Sequence, residues 1–465
     1  GNSITTNLKK TIALKFENDA SYNTVQYVNL KGATTLGFWR VGTTSAVDRG
    51  TITFGAGIAS GNSYNTIDHC DLGPIHPYTG APSAAIYSSG TAGFPNTNLV
   101  ISNNKIYDYY ATDLNKASGT GVQVGSGVGV LFGANTTNCV INANSFYQTT
   151  PRLVYGNANG AKTGGIIIDN NTNGSGFIVK DNYIGGSEPL CAGTNRYNNS
   201  IGNATGFNGI YLSTVSSASS YVYGNTIKNI YLLAHSPIAQ NYKSAGISIN
   251  GGNVFVGIKE DGTTASANII GDTSPTAVGA TDASILFSGS NNNAVFAGIT
   301  FNSLPLADVK IANNKIAGIS VVTNATARTA SFIGIDIFNK ATNTSTLSIN
   351  NNEIGNNATG VTPTSMSIQN YQGRNCFGIY ANEAGDAASV VSISNNKINN
   401  MYKAPAGNST LNAQTYVNGI WINTAILYPI TITNNTIRDL VYTNGRVNDT
   451  PINWASGITF GAQGV

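Results

Sequence analysis

Residues 346–354 read TLSINNNEI and residues 390–398 read VVSISNNKI, so one phrase returns after 44 residues. Each copy alternates polar and apolar residues and then closes on Asn-Asn, one polar residue and Ile. The same ending appears in Asn103-Asn104-Lys105-Ile106 and in Asn434-Asn435-Thr436-Ile437. Self-similarity at a regular period is the signature of a repeat architecture, so we expect one structural unit repeated along the chain.

Weaker copies fill the gaps between the clear ones, and the second Asn of each copy recurs every 38 to 46 residues. The eleven positions are Asn23, Asn65, Asn104, Asn144, Asn182, Asn225, Asn268, Asn314, Asn352, Asn396 and Asn435. A second phrase keeps step with the first, as in Gly334-Ile335-Asp336-Ile337. Both phrases alternate with the period of a half-buried strand, so each repeat is predicted to contain at least two short strands.

The repeat length leaves two architectures to consider. A β-propeller blade has a similar length, but eleven blades exceed the usual four to eight and the Trp-Asp signature is absent. The remaining architecture is a coil that wraps once per repeat, with equivalent strands paired in parallel at about 4.8 Å. Eleven coils would make a rod about 50 Å long. One composition runs throughout, so residues 1–465 are expected to form a single domain.

The recurring Asn is expected to have a structural role. At a tight corner its amide satisfies backbone groups, and copies stacked in successive coils can hydrogen-bond along the rod. All eleven asparagines are therefore predicted to belong to one ladder.

The Asn-x-Ile corner, the Gly-Ile-x-Ile strand and the variable loops resemble the pectate-lyase-like superfamily over nearly the whole chain. The resemblance implies an all-β fold, a right-handed parallel β-helix solenoid of about eleven coils. The phrases Tyr22-Asn23-Thr24-Val25 and Asn65-Thr66-Ile67, with the Asn and Gly richness, are most similar to large surface proteins exported by the type IX secretion pathway of Bacteroidota. That similarity implies an extracellular or cell-surface location, with the secretion machinery as a partner.

Charge and composition argue against two further kinds of partner. The formal net charge of +3 comes from scattered Lys and Arg, so no basic stripe is available for nucleic acid. No apolar run approaches the roughly 20 residues of a transmembrane helix. Both ends fall inside the repeating pattern without an obvious cap, so we expect a segment of a longer polypeptide whose flanking domains supply the caps and the export signal.

A candidate ligand site follows from the strand alternation. The third residue of the Gly-Ile-x-Ile phrase is expected to point outward, where enzymes that resemble this fold place their catalytic groups. Asp336, Tyr380 and Trp421 are predicted to lie side by side on adjacent coils, with Glu383 just past the neighbouring strand. Exposed aromatic rings beside a carboxylate suit sugar rings. The alternative is that a long loop folds over these rings.

Catalytic and metal sites have weaker support. Glycoside hydrolysis usually needs two carboxyl groups roughly 5 to 9.5 Å apart, and Asp336 is the only carboxylate among nine outward positions of the Gly-Ile phrase. No catalytic residue, metal site or cofactor is therefore predicted. Residues 169–174 match the first half of a calcium loop, but Lys180 stands where an acidic ligand is required, so an Asn-rich turn is favoured.

Metal-ligand residue types crowd together once, in Asp68-His69-Cys70-Asp71 with His76 nearby. Alternate strand residues point to opposite faces, so these neighbours are not expected to converge on one ion. The four cysteines show no zinc or disulfide spacing and are expected to be small buried residues. They are Cys70, Cys139, Cys191 and Cys376.

A second outward row is apolar and consists of Leu131, Ile167 and Tyr211. Three stacked exposed hydrophobic residues would invite association, so this row is expected to be covered. Residues 185–207 are the predicted cover.

These observations predict a non-enzymatic extracellular or cell-surface β-helix protein that serves as an adhesin or as a stalk or filament segment. Its expected partners are a surface glycan or flanking domains of its own chain. The main alternative is a polysaccharide-degrading lyase or glycoside hydrolase on the same fold. A third is a phage or autotransporter-like passenger that grips surface polysaccharide.

Overall fold

The chain folds into a parallel β-solenoid, as seen in a computed structural model, and the predicted fold class is confirmed. Within the described ranges the only helical segment is the 3-10 turn Pro189–Cys191, and no helix has the length and apolar character of a membrane span. The structure describes residues 2–5, 12–32, 50–75, 84–109, 127–150, 152–154, 162–193, 197–201, 206–234, 244–274, 283–289, 295–302, 308–323, 331–337, 346–359, 362, 366–371, 375–381, 390–403, 416–423, 429–442 and 454–461.

Four sheets run along the solenoid, and we number them in the order in which the chain passes through them from Leu14 onward. Sheet 1 has twelve strands: Leu14–Phe16, Gly50–Phe54, Ala84–Ser88, Val128–Phe132, Lys162–Asp169, Gly206–Ser213, Ser244–Ile249, Val295–Phe301, Ser331–Ile337, Asn375–Ala381, Tyr416–Ile422 and Trp454–Phe460. Sheet 2 has eleven: Thr24–Gln26, Thr66–Asp68, Val100–Ser102, Val140–Asn142, Ile178–Lys180, Ser220–Tyr223, Val254–Val256, Asp308–Ala312, Thr346–Asn350, Val390–Ser394 and Ile430–Thr433.

Sheet 3 follows sheet 2 in each coil, sheet 4 joins them from Arg152 onward, and strands pair in parallel in all four sheets. Sheet 3 has twelve strands: Asn2–Thr5, Val28–Gly32, Asp71–Pro74, Lys105–Tyr107, Ser145–Tyr147, Tyr183–Ile184, Thr226–Ile227, Ile269–Gly271, Lys315–Ala317, Glu353–Ile354, Lys397–Ile398 and Thr436–Ile437. Sheet 4 has eight: Arg152–Val154, Tyr197–Ile201, Ile230–Ala234, Ile285–Gly289, Ile319–Thr323, Ile368–Tyr371, Met401–Lys403 and Leu440–Tyr442. Asn96–Thr97 and Thr136–Thr137 form a further two-stranded sheet.

Strand alternation decides which side chains form the core. In Thr346–Asn350, Leu347 and Ile349 are buried while the residues between them are not. Ile349 aligns with Ile311 on one side and Ile393 on the other. Columns of apolar residues therefore run along the interior, and one continuous core cluster extends along the solenoid.

The two recurring phrases keep step because their residues touch across this interior. A Cβ atom added to Gly334 would lie 2.8 Å from Cγ2 of Ile354, and one added to Gly378 would lie 2.6 Å from Cγ2 of Ile398. Each added atom would also lie 2.5 Å from the carbonyl oxygen of the next Gly in the column. The Gly of the second phrase is therefore required by the Ile of the first.

Two tight corners bound the strands of sheet 2 in the early coils, such as Val100–Ser102 and Val140–Asn142, and the second corner recurs in the later coils. The first corner precedes the strand and turns at a residue of positive φ such as Asn98 (54°) or Asn138 (55°). The second corner follows the strand and turns at residues such as Asn351 (54°) and Asn395 (57°). Asn tolerates the left-handed region better than most residues, so the first Asn of each Asn-Asn pair makes the turn.

The second Asn of each pair builds the predicted ladder at the second corner. Asn352 donates from Nδ2 to Oδ1 of Asn396 at 3.0 Å and to the Ile311 carbonyl at 2.8 Å. Its own Oδ1 accepts from the backbone N–H and the Nδ2 of Asn314, both at 3.0 Å. Each amide thereby ties together three successive coils. Side-chain bonds of this kind join Asn104, Asn144, Asn182, Asn225, Asn268, Asn314, Asn352, Asn396 and Asn435.

Asn23 and Asn65 lie at the first corner instead, so the prediction that they belong to the same ladder is wrong. Asn23 donates from Nδ2 to Oδ1 of Asn65 at 2.9 Å, and Asn65 donates to the Ala20 carbonyl at 2.7 Å, so they form a separate stacked pair. Their Asn-x-Ile phrase leads into sheet 2, whereas the ladder copies lead into sheet 3. A strand of only three residues separates the two corners. A shift of Asn from one corner to the other is therefore smaller than the variation in repeat length, and the sequence does not reveal it.

Cys70 takes the ladder position in the coil of Asn65. Its backbone N–H donates to Oδ1 of Asn104 at 2.8 Å, and its thiol points to the Val25 carbonyl at 3.6 Å. The backbone N–H of Val28 donates to the sulfur, and burial raises the pKa of the thiol. The thiol therefore makes the carbonyl contact that a ladder amide makes to the preceding coil, with the weaker hydrogen-bonding capacity of sulfur.

Candidate functional site

The strand residues of the candidate glycan site are brought together on neighbouring strands of sheet 1. Asp336 pairs with Tyr380, and Tyr380 pairs with Trp421. All three are at most 5% exposed, and the Trp421 ring packs 4.9 Å from the ring of Tyr416, centroid to centroid. Glu383 lies outside the described residues. This burial favours the alternative in which the chain folds over the rings, so a sugar would reach them only if the cover moved.

The apolar row Leu131, Ile167 and Tyr211 is buried, as predicted. The described part of residues 185–207 is divided among three sheets, since residues 206–207 begin a strand of sheet 1 and the rest lies at sheets 3 and 4, and its role as the cover stays a prediction. The backbone N–H of Leu190 donates to Ser145 Oγ at 3.1 Å, and Tyr197–Ile201 is a strand of sheet 4.

A polar hub lies on the outer face of sheet 2, around the Asp68 carboxylate. It accepts hydrogen bonds from Ser102 Oγ at 2.7 Å and Asn103 Nδ2 at 2.9 Å, and His69 Nδ1 lies 2.7 Å away. Partial burial raises the pKa of Asp68, but the hydrogen bonds outweigh it and lower the pKa below its ordinary value. The carboxylate contact engages Nδ1 of His69, so Nε2 is the ring nitrogen that remains for another hydrogen bond.

The side chains next to this hub diverge, as strand alternation predicts. Cys70 turns into the second corner, and Asp71 begins a strand of sheet 3, where Lys105 Nζ lies 3.7 Å from its carboxylate. His76 lies outside the described residues. In the part of the chain that the structure describes, no group of three or more His, Cys, Asp or Glu residues is placed to hold a metal ion.

Aromatic residues occupy the corners of the first two coils, beside the hub. At the first corner the rings of Tyr22 and Tyr64 stack with centroids 4.8 Å apart, and at the second corner Tyr27 stacks on His69 at 5.0 Å. Tyr22 is 77% exposed, Tyr27 65% and Tyr64 49%. Among the described Tyr, Phe and Trp side chains, Phe460 is the only other one with comparable exposure.

These tyrosines are held in an unfavourable backbone conformation. Their φ angles are 61° at Tyr22, 55° at Tyr27 and 57° at Tyr64. In the next coil the equivalent corner positions hold Asn98 and Asn103. The left-handed region costs an L-residue with a bulky side chain roughly 1–2 kcal/mol. Strain of this kind is common at functional sites.

Sequence reasoning missed this cluster, although a signal was present. Tyr22-Asn23 and Tyr64-Asn65 carry Tyr where the clearest copies of the phrase carry the first Asn of an Asn-Asn pair. Recognising the first Asn as the turning residue, and the second as the bonding residue, would have identified both tyrosines as exposed corner residues.

The Asn-rich turn at residues 169–174 has amides engaged in hydrogen bonds. Asn170 donates from Nδ2 to the Thr136 carbonyl at 3.0 Å, and its Oδ1 accepts from the backbone N–H of Asn173 at 3.2 Å. These contacts tie the turn to itself and to the preceding coil.

The cysteines are buried and form no disulfide, which confirms their predicted role as small buried residues. Burial raises the pKa of Cys139 and Cys191 to about 12 and raises that of Cys376 as well. Burial also lowers the pKa of the Lys403 ammonium to about 8. The thiols are therefore protonated at neutral pH and lack the nucleophilic thiolate form.

No protein-family model matches the chain, and no curated protein matches it. Among solved structures, two of the Streptococcus pneumoniae surface adhesin PfbA are 12% and 11% identical, with TM-scores of 0.22 and 0.23. The first alignment covers 88% of this chain and 91% of that one, and the second covers 84% and 83%. The Azotobacter vinelandii mannuronan C-5 epimerase AlgE4 A-module is 10% identical over 93% of this chain and 90% of that one, with a TM-score of 0.21.

Proposed function

We propose that this chain is the shaft of a non-enzymatic extracellular or cell-surface protein, an adhesin or a stalk segment that holds a binding surface away from its attachment point. The observation that carries the proposal is the unbroken amide ladder from Asn104 to Asn435. The resemblance of the repeats to type IX-exported surface proteins supports the same location and export route.

The ladder suits a shaft because it couples each coil to its neighbours. In a solenoid each repeat contacts only adjacent repeats, so stiffness depends on the interface between coils. Here that interface contains parallel strands, apolar columns and a row of buried amides, each bonded to the coil before and the coil after. Buried polar groups that are fully hydrogen-bonded resist local opening, because opening leaves them without partners.

Surface location is testable on the native organism. Antibodies raised against the purified chain should label intact, unpermeabilised cells, and a deletion strain should lose both the label and attachment to its normal substratum. Labelling that appears only after cell lysis would contradict the proposal.

A polysaccharide-degrading enzyme is the second candidate, and the Asp68–His69 contact favours it. A carboxylate that holds Nδ1 of an imidazole orients Nε2 as a general base, as in many hydrolytic sites. The purified chain should be incubated with neutral and uronate polysaccharides, and new reducing ends and unsaturated products measured. Product release by the wild type that is lost in His69→Ala would establish the enzyme; absence of release leaves the binding role.

A further inference from the structure

The geometry points to a binding site for a neutral oligosaccharide at the aromatic corners of the first two coils. This inference rests on the proposed surface role and names the ligand class that the surface would take. The site, here called the corner platform, consists of Tyr22, Thr24, Gln26, Tyr27, Tyr64, Thr66, Asp68 and His69.

The platform has the two kinds of surface that a sugar requires. In the Tyr22–Tyr64 and Tyr27–His69 stacks one face of each ring is covered by its partner, and the ring surface that stays exposed is available to the C–H groups of a sugar ring. Between them runs the strand Thr24–Gln26, which spans about 10 Å. Thr24 and Gln26 are exposed and offer a hydroxyl and an amide to the sugar hydroxyl groups. A short oligosaccharide can therefore lie across the strand with ring contacts at both ends.

Charge selects a neutral ligand over a uronate or sulfated one. None of the platform side chains is Lys or Arg. Asp68 is held ionised by its hydrogen bonds, since they lower its pKa. A carboxylate accepts hydrogen bonds from sugar hydroxyl groups but repels an anionic polymer.

The platform is fixed in position before any ligand arrives. The backbone N–H of Tyr64 donates to the Thr97 carbonyl at 2.9 Å, and that of Tyr27 donates to the Asp68 carbonyl at 3.3 Å. These bonds lock the corners onto the following coil, so binding orders few additional groups and loses little conformational entropy.

Later coils suggest the variant that tests the platform. Asn98 and Asn138 occupy the first-corner position of Tyr64 in the next two coils, and Asn103 occupies the second-corner position. The triple variant Tyr22→Asn, Tyr64→Asn and Tyr27→Asn therefore gives the first coils the residue that the fold already uses. Tyr221→Ser is the matched control, because Tyr221 is a half-buried tyrosine on sheet 2 away from these corners.

Binding is measured by calorimetry with cellohexaose, mannohexaose and xylohexaose as neutral probes, and with oligogalacturonate and oligoalginate as acidic probes. The wild type and Tyr221→Ser should bind at least one neutral probe more tightly than either acidic one. The triple variant should bind that probe roughly tenfold or more weakly, because exposed aromatic anchors dominate such contacts. Its melting temperature should equal or exceed that of the wild type.

Three results would overturn the inference: a wild type that binds none of the neutral probes, tighter binding of an acidic probe, or a triple variant that binds as well as the wild type. If the triple variant does not fold, Tyr27→Asn alone is measured against the same criteria. Failure of these titrations leaves the surface location intact, whereas failure of cell labelling would overturn the proposed function while leaving the titration result standing.

Discussion

The corners of the first two coils are built from different residues than the corners of the coils from Asn104 onward. In the later coils a buried Asn bonds along the rod at the second corner, and the residue before it, in the clearest copies also Asn, makes the turn. In the first coils the bonding pair, Asn23 and Asn65, lies at the first corner, and Cys70 fills the second. The turning positions there hold Tyr and His instead of Asn.

The comparison shows that the Asn-Asn phrase contains two residues with different roles, one that turns the backbone and one that bonds along the rod. In the ladder, Asn352 and Asn396 are buried and their amides bond to the coils on both sides, whereas the turning residues Asn351 and Asn395 are exposed and have positive φ angles. A surface function can therefore be placed at turning positions without disturbing the ladder, at the expense of local backbone strain.

The largest expected loss of stability comes from replacing an Asn in the interior of the ladder. Asn352→Leu removes two donated bonds and leaves the donors on Asn314 without their acceptor. Stability should fall by about 3 kcal/mol, the upper end of the range for orphaned buried polar groups. Thermal and denaturant melts measure the change. Asn351→Gly is the control, since Gly adopts the same positive φ, and an equal loss in both variants would contradict the ladder.

The next largest loss of stability is expected when a methyl group is added at the Gly of the second phrase, where it packs against the Ile of the first phrase. Gly334→Ala places a Cβ atom 2.5 Å from the Gly378 carbonyl oxygen and 2.8 Å from Ile354. Overpacking of this kind should cost about 1–3 kcal/mol in a melt. Gly133→Ala, whose added Cβ would meet nothing closer than 3.6 Å, should melt like the wild type. Similar melts for both variants would rule out the contact.

A smaller change in stability is expected when Cys70 is replaced by the Asn that the later coils have at this corner. Cys70→Asn supplies an amide where the thiol now points to the Val25 carbonyl, and it extends the ladder by one coil. Stability should rise by about 1 kcal/mol, while Cys70→Ala should lower it. If Cys70→Asn melts as low as Cys70→Ala, the second corner of this coil is not equivalent to the others.

The smallest effect on stability is expected at the tyrosines. Tyr22→Asn relieves roughly 1–2 kcal/mol of left-handed strain and loses about 0.5–1.5 kcal/mol of ring stacking. The melting temperature should therefore be unchanged or slightly higher. A clear decrease would show that the stacked rings hold the corner together.

The sequence predicted the solenoid because periodic phrases report on buried columns, and those columns determine the fold. It could not place Asn23 and Asn65 correctly, because a shift from one corner to the other is smaller than the natural variation in repeat length. It also could not show that Asp336, Tyr380 and Trp421 are buried, since cover by another segment leaves no periodic trace. Residue type alone favoured Trp421 as a sugar-binding residue, whereas the exposed fractions of the side chains favour Tyr22, Tyr27 and Tyr64 for that role.

Melting temperature and neutral-oligosaccharide affinity, measured together in Asn352→Leu and in the triple tyrosine variant, test most directly whether bonding and turning residues have separate roles. If bonding residues maintain the fold and turning residues carry the function, Asn352→Leu should melt at a lower temperature and keep its affinity below the melt. The triple variant should keep its melting temperature and lose its affinity. A variant in which both properties fall together, at either position, would contradict the separation of roles.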